Sequence, residues 1–247
     1  MDSAQVFETP DDRIFLTIDF GGDFLDVFNS VNIGQDVHAV KLGVGFLLDP
    51  KLSHKNKWLR RIGINTFLDL KSHEDPDQMA SEISLIIDRG FTYTSVHASA
   101  SAESMVAAVR NAGNMVIVAA LSPPNTIAIR SDELENIEKA NGLLAEEGLA
   151  IGALMCNISQ LKHTRRLGDG VLRIASGIRM PRDPANDQPA VGTPAEALLL
   201  GADMLAIGRT VTAADKRRDA YERVRENICS VQNTTREAPV RNQTMLK

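Results

Sequence analysis

Ile64-Asn65-Thr66-Phe67-Leu68-Asp69-Leu70-Lys71-Ser72-His73-Glu74-Asp75-Pro76-Asp77-Gln78 is the stretch on which the fold turns. An apolar run over 64–68 delivers Asp69, Lys71 and Glu74 in succession, and Pro76 then stops the extended chain and opens a helix. Asp69 and Lys71 are two apart, so an extended chain turns both side chains to one face, and Glu74 can fold back towards them from the turn. A lysine held between carboxylates stays protonated and is aimed. That suits a reaction in which a carbanion is quenched by a proton, or a carboxylate is crowded until it leaves. On this stretch alone the alternative is an ion-pair network at the surface end of a strand.

The same grammar of apolar run, polar turn and amphipathic stretch extends outward in both directions. Strands are expected over 14–18, 37–41, 64–68, 92–97, 115–121, 149–155, 171–175 and 204–207. Between them, Phe24, Val27, Phe28 and Val31 recur at helical spacing before Gly34, as do Met79, Ile83, Ile86 and Ile87 before Gly90. These glycines, with Gly63, Gly113, Gly148, Gly168 and Gly201, read as C-terminal caps. Starts are marked too. Thr193-Pro194-Ala195-Glu196 forms a capping box, and Asp75-Pro76-Asp77-Gln78 follows the same logic. Eight βα units without a hairpin signal predict an α/β protein, a closed parallel (β/α)8 barrel of the TIM type. An open doubly wound sheet fits less well, since no glycine-rich dinucleotide fingerprint follows the first strand. The barrel is expected to occupy residues 1–229, with 230–247 a polar C-terminal tail.

Composition narrows the function. The 247 residues carry a net charge of −5, which argues against nucleic acid or an anionic membrane surface as a partner. Small anionic substrates, handled by a few local cations, remain. Only Cys156 and Cys229 are present, so no disulfide framework is implied and the expected home is the reducing cytoplasm. A zinc site would lack ligands. The segment 1–12 is polar and acidic, and no run reaches the ~18 apolar residues of a membrane span.

In a barrel of this kind chemistry lies at the C-terminal ends of the strands. Those ends are polar almost every time: Asp19, Lys41, Asp69 with Lys71, His97 with Ser99, Ser122, then Ser176-Gly177-Ile178-Arg179, and Gly208-Arg209. The loops after strands seven and eight are the usual phosphate cradle. Gly208 permits close backbone approach and Arg209 can fork onto phosphate oxygens, so a phosphorylated substrate is expected. The Pro-, Asp- and Asn-rich loop over 180–190 reads as a lid.

Together these residues resemble the orotidine 5′-monophosphate decarboxylase family. The resemblance rests on Lys41-Leu42-Gly43, Asp69-Leu70-Lys71 with an acid at 74 and Pro76, Val96-His97-Ala98, Gly177-Ile178-Arg179, Asp187-Gln188, Thr193-Pro194 with Ala197, and Gly201-Ala202-Asp203 leading to Gly208-Arg209. It implies decarboxylation of orotidine 5′-monophosphate to UMP, the last step of de novo pyrimidine biosynthesis, by a carboxy-lyase with no metal or organic cofactor. In that case Lys71 protonates C6 of the ring, flanked by Asp69 and an acid from the 74–75 turn. Asp19 and Lys41 hold the ribose, Ser122 the pyrimidine amide, Gln188 bridges base and phosphate, and Arg179, Gly208 and Arg209 serve the phosphate end. The family's turn reaches into the neighbouring subunit's site, which implies a homodimer with shared active sites.

The turn departs from the family pattern. It reads Glu74-Asp75-Pro76-Asp77-Gln78 where Asp-Ile-Pro-Asn-Thr is usual, so Glu74 takes the aspartate slot and Gln78 replaces a ribose-contacting threonine. Asp75 is also accounted for as a helix cap. Two alternatives follow: a diverged relative of the sugar-phosphate decarboxylase and aldolase type, or a non-catalytic nucleotide-binding barrel. The former branch carries glutamate and magnesium at the end of strand two, where this chain has Lys41.

Overall fold

The computed structural model describes residues 7–19, 24–31, 36–48, 52–122, 129–168, 170–188 and 190–236. Eight parallel strands close into a barrel in chain order. They are β1 (Ile14–Ile18), β2 (Ala39–Gly43), β3 (Asn65–Ser72), β4 (Tyr93–His97), β5 (Val116–Ala120), β6 (Ala153–Asn157), β7 (Leu172–Ser176) and β8 (Met204–Ile207). β1 and β8 match their expected bounds. β2 begins two residues late and β6 four, because continuous register pairing starts only at Ala39 and Ala153; the approach residues His38 and Gly152 make single carbonyl bonds, to the Asn65 and Leu172 N–H groups. β3 runs on to Ser72, four residues past the apolar run, since its charged end stays paired in the sheet.

Around the barrel lie α1 (Phe24–Val31), α2 (Leu52–Arg61), α3 (Pro76–Asp88), α4 (Ala102–Arg110), α5 (Ser131–Leu144), α6 (Pro194–Leu199), α7 (Arg209–Thr212) and α8 (Arg217–Arg236). The β6–β7 connection carries a 3-10 helix, Leu161–Leu167, in place of an α-helix. Both expected starts are present. Asp75 accepts the Gln78 N–H at 3.0 Å, and Thr193 and Glu196 form a reciprocal capping box. The glycines at 63, 90, 113, 148, 168 and 201 all adopt positive φ, as end signals require. Gly34 lies outside the described residues. The expected boundary at 229/230 falls inside α8, which continues to Arg236 because polar residues sustain a helix once Tyr221, Val224 and Ile228 anchor its apolar face.

Two layers of core follow from this arrangement. Phe15, Phe67 and Tyr93 fill the barrel interior, with Phe15 edge-on to both at centroid distances of 5.5 and 5.1 Å. A larger cluster joins the outer strand faces to the helices. The aromatic plug carries the floor of the site, as Met155 and Ala206 belong to that inner layer and also line the cavity above it.

Candidate active site

The cavity opens at the C-terminal ends of the strands. Its walls include Asp19, Lys41, Asp69, Lys71, Ser122, Arg179, Gln188, Gly208 and Arg209. Residues separated by up to 190 positions thus converge on one hollow.

Its charged centre is built by an irregularity in β3. Leu68 pairs with Thr94 and Ser72 with Val96, so three residues, Asp69 to Lys71, stand opposite Ser95 alone. This bulge re-aims the strand, and Lys71 takes a left-handed conformation at φ 54°. Such a backbone costs of the order of 1–3 kcal/mol for a residue other than glycine, and it persists because its surroundings hold it. Ser95 is the clamp: its hydroxyl accepts the Lys71 N–H at 2.9 Å and donates to Asp69 Oδ1 at 2.8 Å. Asp69 Oδ2 then takes both Lys41 Nζ and Lys71 Nζ, each at 2.6 Å.

Burial works to raise the pKa of Asp69, but the two lysines overcome it and hold the carboxyl at about 2. Asp69 is therefore ionised throughout the physiological range. Lys41 is buried in this pair, whereas the Lys71 side chain is 37% exposed and open to the cavity.

The turn that follows faces elsewhere. Glu74, Asp75 and Gln78 are all exposed and none of them lines the cavity of its own chain. Among the described residues no ion pair joins Glu74 to Lys71, so within one chain the lysine lies beside a single carboxylate and a second lysine. The Glu74 carbonyl is tied down by the Ser104 hydroxyl at 2.7 Å, and the Asp75 side chain caps α3. Further round, His97 does not line the cavity, and its Nδ1 takes the Ser99 N–H at 3.1 Å. Burial, with help from His73, Lys71 and Arg130, pushes His97 below its ordinary pKa against the opposing pull of Glu133.

At the opposite wall Arg179 is buried against backbone carbonyls and Arg209 is the more open cation. Arg179 donates to the carbonyls of Pro184 and Ile178 at 3.1 and 2.7 Å, and burial, then the neighbouring Arg209, lowers its pKa. Arg209 forms an ion pair with the exposed Asp187. Gln188 lines the cavity with its Oε1 buried and without a hydrogen-bond partner among the described residues. The 180–188 part of the expected lid is anchored by the bridge between Ile178 and Gly192. A side chain at Gly177 would bring a Cβ within 2.7 Å of the Ala190 carbonyl, and one at Gly43 within 2.9 Å of the Asp19 carbonyl. Glycine at these two positions lets the cavity rim close up.

Sequence reasoning passed over Ser95, Thr17 and Asn157, the last two of which line the cavity together with Ser176, expected there as a polar strand end. Ser95 left one signal, a second hydroxyl residue directly after Thr94 in a strand whose first four residues are buried. Among the described residues no group of three His, Cys, Asp or Glu side chains is arranged to hold a metal ion.

A model of the Orotidine 5′-phosphate decarboxylase / HUMPS family matches residues 23–224. The chain belongs to this family. Within the Orotidine 5′-phosphate decarboxylase / HUMPS family it is 29% identical over 233 residues to the orotidine 5′-phosphate decarboxylase of Rhodospirillum rubrum, covering 87% of this chain and 92% of that one. To the orotidine 5′-phosphate decarboxylase of Aquifex aeolicus it is 31% identical over 153 residues, covering 59% and 66%. The crystal structure of orotidine 5′-phosphate decarboxylase from Pyrococcus horikoshii superimposes with a TM-score of 0.68 at 19% identity, covering 87% of this chain and 99% of that one. That likeness speaks for the family's barrel fold. Every cavity residue named above except Thr17 and Asp19 falls within the stretch that the family model matches.

Proposed function

We propose that this protein is a carboxy-lyase that converts orotidine 5′-monophosphate to UMP and CO2. The observation that carries the reading is the Lys41–Asp69–Lys71 array at one wall of a cavity whose other wall holds Arg179, Gln188, Gly208 and Arg209. In the proposed step the bond from C6 to the carboxylate breaks, its electron pair stays on C6, CO2 departs, and Lys71 delivers a proton to C6. Solvent then reprotonates the lysine. The carbanion has no electron sink in the ring, so the stabilisation must come from charges already in position. An aimed ammonium whose counterion is fixed by Ser95 meets that need, because little reorganisation is left to perform during the reaction.

The remaining roles follow the same reading. Asp19 and Lys41 face the ribose, Ser122 the pyrimidine amide, Gln188 the bridge between base and phosphate, and Arg179, Gly208 and Arg209 the phosphate. Glu74, Asp75 and Gln78 are exposed and outside their own chain's cavity, which supports a homodimer in which this turn completes the partner's site. The reading needs no metal or organic cofactor. Lys41 supports it against the sugar-phosphate branch, since an ammonium paired with Asp69 stands where that branch carries a metal-binding glutamate. Two cysteines without a disulfide, and no helix among the described residues long and apolar enough to cross a membrane, agree with a cytoplasmic enzyme.

The altered turn favours one second reading, a barrel that binds the nucleotide without turning it over. Metal-chelated protein mixed with orotidine 5′-monophosphate, followed by ultraviolet absorbance and CO2 release, separates the two. Turnover that survives chelation is expected. UMP binding without turnover would leave the binding barrel.

A further inference from the structure

Glu133 is the described acidic residue most deeply buried beside the site, and no step above uses it. It lies in the first turn of α5, is 0% exposed, and its carboxylate is hydrogen-bonded to the hydroxyl of Ser122, a cavity residue. Its other oxygen, Oε2, has no hydrogen-bond partner among the described residues. His97 and Arg130 lie within electrostatic reach, but neither forms an ion pair with it among the described residues. A buried carboxylate is costly to maintain, and α5 would be better stabilised there by an apolar side chain.

A carboxylate can only accept hydrogen bonds, whereas a serine hydroxyl can donate one and accept two. The Ser122 proton is therefore committed to Glu133, and what Ser122 presents to the cavity is its lone pairs. We infer that Glu133 is a positioning residue that sets the polarity of Ser122, making the base subsite select a ring edge that donates an N–H over one that accepts. This rests on the reading of Ser122 as the contact to the pyrimidine amide. With that reading, an imide ring such as that of UMP is matched at N3, and the unprotonated N3 of CMP meets lone pair against lone pair.

The test is the ratio of UMP to CMP affinity, measured by calorimetry on wild type, Glu133→Met and Ser122→Ala. Wild type is expected to prefer UMP clearly. Glu133→Met has nearly the same length and no carboxylate, so the Ser122 hydroxyl is free to rotate and the ratio should fall about tenfold, the worth of roughly one hydrogen bond. On the Ser122→Ala background the same substitution should leave the ratio unchanged. If Glu133→Met does not fold, Glu133→Leu, which likewise removes every acceptor from Ser122, reads the same quantity. A purely structural role would weaken both nucleotides in parallel, and an unchanged ratio in the folded variant overturns the inference. Folded wild type that binds neither nucleotide overturns the functional reading itself, and this inference with it.

Discussion

The two walls of the cavity are held by different means. At the β3 wall, Lys41, Asp69 and Lys71 are locked by a bulge, a buried carboxylate and the Ser95 clamp, so the charges are set before any ligand arrives. At the β7–β8 wall, Arg209 pairs with a solvent-exposed aspartate and Arg179 leans on loop carbonyls. The first arrangement suits chemistry, where reorganisation is costly. The second suits capture, where a cation must exchange one anion for another at little cost.

The sharpest way to break this contrast is Lys71→Ala. If the β3 wall performs the reaction, kcat should fall by about 10²–10⁴-fold, the usual worth of a positioned acid, while UMP affinity changes little. Near-parental turnover would remove Lys71 from the mechanism.

Asp69→Asn tests whether that wall is rigid because it is charged. Breaking a buried pair typically costs ~3–5 kcal/mol, read as a drop in unfolding free energy. The pH dependence has a definite sign. The folded-state pKa is depressed from 3.8 to about 2, so its stabilisation, ~2 kcal/mol, is fully present above pH ~4 and is lost as pH falls through about 2. The stability gap between wild type and variant should narrow across that window. A gap that stays flat would mean the ion pairs do not hold the wall.

At the other wall, Arg209→Ala should weaken UMP binding by about 10–100-fold and leave uridine binding unchanged, since only the phosphate is lost as a partner. Equal losses for nucleotide and nucleoside would move Arg209 away from the phosphate. The smallest effect is expected from Asp187→Ala. Exposed pairs are worth ~0–1 kcal/mol, so freeing Arg209 should tighten UMP binding by less than about fivefold. Weaker binding instead would show that Asp187 aims the arginine.

Much of this molecule is decided by local chemistry. Eight apolar runs punctuated by capping residues and positive-φ glycines determine the strands, the helix starts and stops, and hence the barrel, because each signal acts within a few residues. Barrel topology then sends every strand's C-terminal residue to one face, so the approximate membership of the site was legible as well. The directions of side chains were not. An unbroken strand would carry Asp69 and Lys71 side by side on one face, but it is the three-against-one pairing with Ser95 that turns Lys71 and joins it to Lys41 through a shared oxygen. Likewise, Glu74 follows Lys71 closely in the chain yet is exposed and outside the cavity, while Glu133 meets Ser122 only because α5 packs beside the end of β5. Those relations depend on register and on contacts between distant elements, which a one-dimensional pattern does not encode.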